Sequence, residues 1–272
     1  MQTYAVKNLK KGIEFLEQQF GVKWDWDAFW KNAEMYNESS RCMVEKWDVN
    51  CTEHPQVCGA ALALQREYEF MAAACMDKFM LKTDRRVTKM MLKGYEQDKA
   101  ANAPQPKYRC LVWACPAHYY TNFTYWTQHC WGVTCVNDME AMLSYQPITI
   151  GDKEQALADL VRCYEKMMMR SHTNGGYVNL LDECWKMCEK FHTNIVIMSD
   201  HVSCKNVGGL HGLFEDQARE RGIHLIWIPH DVMDPRTVSR REMREAFSQY
   251  MVTVLNEKPL DPTLLDYEDA LS

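Results

Sequence analysis

Val6, Leu9, Ile13, Leu16 and Phe20 recur at spacings of three and four, which predicts one face of a helix ending at Gly21. After the turn Gly21–Val22–Lys23, a second helix is expected from Asp25 or Asp27, either of which can cap it. It runs through Phe29, Trp30, Ala33 and Tyr36 towards Trp47. The segment CTEHPQVCG reads as a loop, and two further helical stretches follow, about Ala60–Met80 and Thr83–Ala101. No strand pattern occurs before residue 103. The pattern then changes at APQPK, residues 103–107, whose two prolines stop a helix and set up extended chain.

Beyond that boundary apolar runs alternate with helical spacings. Strands are expected at Tyr108–Cys115, Gly132–Asn137, Asn194–Ser199 and Ile223–Pro229. Helices are expected around Thr121–Cys130, Lys153–Arg170, Tyr177–Phe191 and Gly209–Arg221. Ser239 and Glu242 form a capping box for a last helix, expected to bury Met243, Phe247, Tyr250 and Val254. Strands that are apolar without alternation, each separated by a helix, predict a parallel sheet covered on both faces. The reading is therefore α/β: a helical region (1–103), a four-stranded parallel doubly wound domain of Rossmann or flavodoxin type (104–258), and a loose acidic tail (259–272).

Composition narrows the function classes. A net charge of −6 leaves no broad basic surface for nucleic acid, and basic runs such as Arg219–Arg221 read as solvated helix faces. No stretch approaches the roughly 20 apolar residues of a membrane span. The charged N-terminus lacks a signal-peptide core, which points to the cytoplasm. Twelve cysteines are then in a reducing compartment, and since no two form a CxxC pair, zinc ribbons and disulfides are both poor explanations. Eighteen methionines beside them describe a sulfur-rich, oxidation-sensitive interior that suits anaerobic life.

In an open parallel sheet, ligands bind beyond the carboxyl ends of the strands, where strand order reverses. With the order 2-1-3-4, two loops flank that point: Ala114–His118 after the first strand and Asp200–Asn206 after the third. Each carries a cysteine. Cys115, like Cys130, Cys163 and Cys184, reads first as a small buried hydrophobe. Cys204 differs, because it sits in a polar loop with Lys205 beside it and Gly208–Gly209 opening the next helix, a setting that favours a thiolate. Spacing alone leaves three readings of Cys204 level: metal ligand, nucleophile paired with His201 or His211, and structural thiol. Cys184 and Cys188, at i and i+4, read as packing of a helix face. His224 reads as a satisfied core histidine. Trp24, Trp26 and Trp30 read as packing of the helical region.

The run from Ile195 to Met251 contains Ser203–Cys204–Lys205, Gly222–Ile223 and Asp234–Pro235–Arg236 in the order strand, loop, helix, strand, helix. In this it resembles the C-terminal region of 2-hydroxyacyl-CoA dehydratase and benzoyl-CoA reductase subunits, and EFLEQQFGVKWDWDAFWKNAEMYNESSR is similar to that family's central helices. The resemblance implies an iron–sulfur lyase component in which Cys204 is one ligand of a [4Fe-4S] cluster. Ser203, Lys205, His201, Cys115 and His118 would then stand on the acyl-CoA side. It further implies a second dehydratase-type subunit, and an ATP-dependent [4Fe-4S] activator that drives radical dehydration of a (R)-2-hydroxyacyl-CoA. A benzoyl-CoA-reductase-like subunit and a non-catalytic scaffold of the same fold are the alternatives. Two departures accompany the resemblance. The family's other cluster cysteines come from a preceding α/β domain, with which this sequence does not open, and Trp113–Ala114–Cys115–Pro116 stands where the family usually carries glycine.

Overall fold

A computed structural model describes residues 2–59, 61–65, 68, 77–141, 146–166 and 168–266. The first helix, α1 (Gln2–Phe20), ends at Gly21, whose φ of 65° stops it. Asp25 then caps α2 (Trp26–Asn50) by accepting a hydrogen bond from the Ala28 N–H. Of the expected Ala60–Met80 helix, residues 61–65 and 68 are helical, while 60, 66–67 and 69–76 lie outside the described residues. Helix α3 (Lys78–Ala100) starts earlier than its apolar spacing suggests, because Asp77 accepts from the Met80 N–H and nucleates it there.

The second half follows the alternating plan: β1 (Tyr108–Trp113), α4 (Phe123–Trp131), β2 (Val133–Asp138), a 3₁₀ turn (Met139–Ala141), α5 (Lys153–Lys166), α6 (Met168–Phe191), β3 (Ile195–His201), α7 (Lys205–Gly208), α8 (His211–Arg221), β4 (His224–His230) and α9 (Arg240–Thr253). All four strands are parallel, in the order β2-β1-β3-β4. The fold is thus the expected α/β doubly wound one. Boundaries shift for local reasons. Strand β1 stops at Trp113 because Ala114 turns to a φ of 64°, and α6 runs on through residues 171–175 with its break at Gly176, φ 72°. Strands β3 and β4 extend to His201 and His230, which pair with each other.

Alternate strand residues divide the core in two, as the two-residue period of a strand requires. Cys110, Val112, Ile195, Ile197, Ile226 and Ile228 face one side, with Trp47 of α2, Trp126 of α4 and Phe247 of α9. Leu111, Trp113, Val196, Met198 and Leu225 face the other, against Leu181, Cys184 and Cys188 of α6 and Phe214 of α8. Cys184 and Cys188 are accordingly packing residues. In α9 the buried face is Met243, Phe247 and Met251; Tyr250 is half-buried and Val254 is 55% exposed, a correction to the expected face.

Polar side chains tie the early helices to the sheet. Arg109 on β1 donates to the carbonyls of Phe191 (2.8 Å), Thr52 (2.8 Å) and Asn50 (2.7 Å), placing a cation at the carboxyl ends of α2 and α6. Asn50 donates to Val57 and Val136 and accepts from the N–H groups of Gln56 and Val57. Lys46 and Asp84 form an ion pair at 2.8 Å between α2 and α3, both side chains 1% exposed. Trp24, Trp26, Phe29 and Trp30 pack ring on ring, as expected. The described part of the acidic tail is docked rather than loose: the Leu260 N–H donates to the Cys130 carbonyl and Trp126 Nε1 donates to that of Leu264. Among the described residues no helix is long and apolar enough to cross a membrane.

Candidate functional site at the carboxyl edge of the sheet

A small crevice opens at the carboxyl ends of the strands. Val112 of β1, Asp138 of β2, Ser199 of β3, and Ile228 and His230 of β4 form its floor, with Tyr120 on one wall. Parallel strands present their carboxyl ends on one edge, so the loops after β1 and β3 both leave the sheet there, and the first of them lines the crevice through Pro116 and Ala117. Cys115 and Cys204 follow neighbouring strands at that same edge.

The loop after β1 is fixed on both sides. Its reversal is made by Ala114 at φ 64°, a region that favours glycine. His230 Nε2 lies 2.7 Å from the Cys115 carbonyl oxygen, a contact that requires Nε2 to carry the proton and donate. Burial pushes the His230 pKa down, which favours the neutral ring. The His118 N–H donates to the Val232 carbonyl at 2.9 Å, stitching the same loop to the chain after β4.

This scaffold brings three metal-type donors together. Cys115 Sγ lies 3.7 Å from His118 Nε2, and His118 Nε2 lies 3.7 Å from Glu140 Oε2. All three donor atoms lie within 4.8 Å of one another. Glu140 comes from the 3₁₀ turn after β2, its N–H donating to Asp138 Oδ1 at 2.8 Å, and its side chain is only 8% exposed. Among the described residues this is the group of three His, Cys, Asp or Glu side chains with ligand spacing.

The loop after β3 is arranged differently. His201 Nδ1 accepts from the Ser203 N–H at 3.1 Å and lies 3.0 Å from Ser203 Oγ, while its Nε2 stands 3.8 Å from Asp231 Oδ2. The N–H groups of Asp234 and Met233 hold the Asp231 carboxyl below its usual range. His211 stacks on Trp227, with Nε2 3.4 Å from Asp200 Oδ2. Both histidines considered as bases for Cys204 are thus engaged with other side chains. Cys204 packs at the margin of the second core and precedes α7, a single turn whose Gly208 and Gly209 N–H groups bond back to the carbonyls of Cys204 and Lys205. The glycines therefore close that turn instead of opening the next helix, which begins at His211. Lys205 is exposed.

Sequence reasoning named Cys115, His118, His201, Ser203, Cys204 and Lys205; the structure joins the first two with Glu140 and joins His201 with Ser203. Glu140 and His230 were not anticipated. His224, expected in the core, is half-buried with Nδ1 3.4 Å from the Tyr250 hydroxyl, and the buried histidine of β4 is His230 instead.

Four-iron clusters are held mainly by cysteine thiolates. Among the described residues Cys204 belongs to no group of three donors, and the group that exists contains one thiol. These residues taken alone therefore do not fit a [4Fe-4S] cluster. A family model described as 2-hydroxyglutaryl-CoA dehydratase, D-component, matches residues 1–251. No curated protein matches the chain.

Proposed function

The chain belongs to the 2-hydroxyglutaryl-CoA dehydratase D-component family, and from that premise we propose that it is one component of a dehydratase acting on a (R)-2-hydroxyacyl-CoA. The observation that carries this reading is the Ser203–Cys204–Lys205 loop at the carboxyl end of β3, on the sheet edge where open α/β sheets bind ligands. In this reading Cys204 contributes one thiolate to a [4Fe-4S] cluster whose other ligands come from a second dehydratase-type subunit, and an ATP-dependent activator supplies the electron. On this chain, the exposed Lys205 ammonium meets anionic groups of the coenzyme. His201, oriented by Ser203, and the Cys115–His118 loop face the acyl end.

The test is anaerobic reconstitution of the chain with its partner component, activator, ATP and reductant. Cys204→Ser should lose most of the cluster iron and of the dehydration of a 2-hydroxyacyl-CoA. Cys163→Ser should keep both, because Cys163 is engaged with Tyr36 and the Gln146 carbonyl, in the packing against α2. Equal loss in the two variants would sink the assignment of Cys204.

A further inference from the structure

The trio at the end of β1 and β2 has a geometry of its own, independent of the dehydratase reading. Thiolate, imidazole and carboxylate are the three donor types that zinc and similar borderline divalent ions accept. With metal–sulfur bonds of about 2.3 Å and metal–nitrogen or metal–oxygen bonds of about 2.0–2.1 Å, a tetrahedral ion sets its donors about 3.3–3.6 Å apart. The two measured separations are both 3.7 Å. The third, between Cys115 Sγ and Glu140, is no more than 4.8 Å, so side-chain adjustment at the third donor completes the approach of all three to one ion.

The donors are also held in place. His230 fixes the Cys115 backbone, the Val232 carbonyl fixes that of His118, and Asp138 fixes that of Glu140. These bonds fix the backbone from which the three donor side chains project. The three donors stand on two segments brought together only because β1 and β2 are neighbours in the sheet.

We propose that Cys115, His118 and Glu140 bind one divalent cation of the zinc or ferrous class, with a fourth position left for water or an oxygen ligand. Three protein donors with one open position is the arrangement of reactive rather than purely structural zinc sites. Pro116, Ala117 and Asp138, near the donors in sequence, line the crevice.

Cobalt(II) provides a readout that needs no activity. The full chain, stripped with chelator and titrated with cobalt(II), should take up one ion. It should also show a thiolate-to-cobalt charge-transfer band with the strong visible bands of tetrahedral cobalt. Cys115→Ala should abolish the charge-transfer band. His118→Gln and Glu140→Gln should each weaken binding by about tenfold or more. Cys204→Ser should leave the band and the stoichiometry as they were. Should Cys115→Ala fail to fold by circular dichroism, the two glutamine variants still decide. A plain hydrogen-bonded trio would give no band at all. Absence of the band, its survival in Cys115→Ala, unchanged affinity in both glutamine variants, or its loss in Cys204→Ser would each overturn the proposal.

Discussion

Ala114 occupies the left-handed region at the point where β1 must turn into the loop that carries Cys115 and His118. For a residue with a Cβ that conformation costs about 1 kcal/mol or slightly more. A glycine at this position would carry no such strain. Ala114→Gly should therefore stabilise the protein by about 0.5–1 kcal/mol in urea unfolding. The same change at Ala33, inside α2 and buried, should cost about 1 kcal/mol. If Ala114→Gly is instead destabilising, the Cβ packing of Ala114 in the second core outweighs its backbone strain. At this scale the sequence is a partial guide. Cys204 stood out because a thiol in a polar loop is unusual, and Cys115 and His118 because they follow a strand. Glu140 carried no such signal: one acidic residue after an apolar strand looks like any solvated turn, and only the pairing of β1 with β2 gives it a role. His230 was missed because the apolar run reads as ending at Pro229, whereas pairing with His201 carries the strand one residue further.

Elements were more legible, since long apolar periods and caps are local. Asp25 at the start of α2 and the Ser239–Glu242 capping box at the start of α9 are where the residue types predict them. The four strands were visible because both of their faces are buried, which leaves uninterrupted apolar runs. What periodicity alone fixes less well is the rotation of a helix about its axis. Positions 243, 247, 250 and 254 and positions 243, 247 and 251 are both acceptable helical spacings, and the sheet selects the second. Phe247, fully buried against Phe123 and Trp126, should cost about 3–5 kcal/mol on Phe247→Ala. Val254→Ala should change stability by no more than about 0.5 kcal/mol, because the side chain already meets water. Denaturant midpoints for the two variants measure this directly. A comparable loss at Val254 would mean that α9 is rotated from the orientation described. The same dependence on tertiary context applies to Arg109, whose hydrogen bonds reach the ends of two helices that no local pattern connects to β1.

Taken as a whole, the molecule offers two loops at one sheet edge with different capacities for metal. The loop after β3 supplies Cys204, which belongs to no group of three donors among the described residues; the loop after β1 supplies a mixed trio with a single thiol. Neither arrangement provides the several thiolates that a [4Fe-4S] cluster needs. If both proposals hold, the isolated chain should then have a specific and unusual metal content. After anaerobic incubation with iron and sulfide and removal of excess, it should retain close to one divalent ion. It should lack the broad thiolate-to-iron absorption of a cluster, and it should not dehydrate a 2-hydroxyacyl-CoA even with activator, ATP and reductant. Adding the partner component should bring in cluster absorption and turnover together, and Cys204→Ser should block that gain while leaving the single ion in place. Glu140→Gln should do the reverse for the single ion, emptying it without preventing cluster assembly. Cluster absorption and turnover by the chain alone would contradict this, and would mean that thiols assigned to packing, such as Cys188 in the second core, rearrange to complete a site that the folded chain does not present.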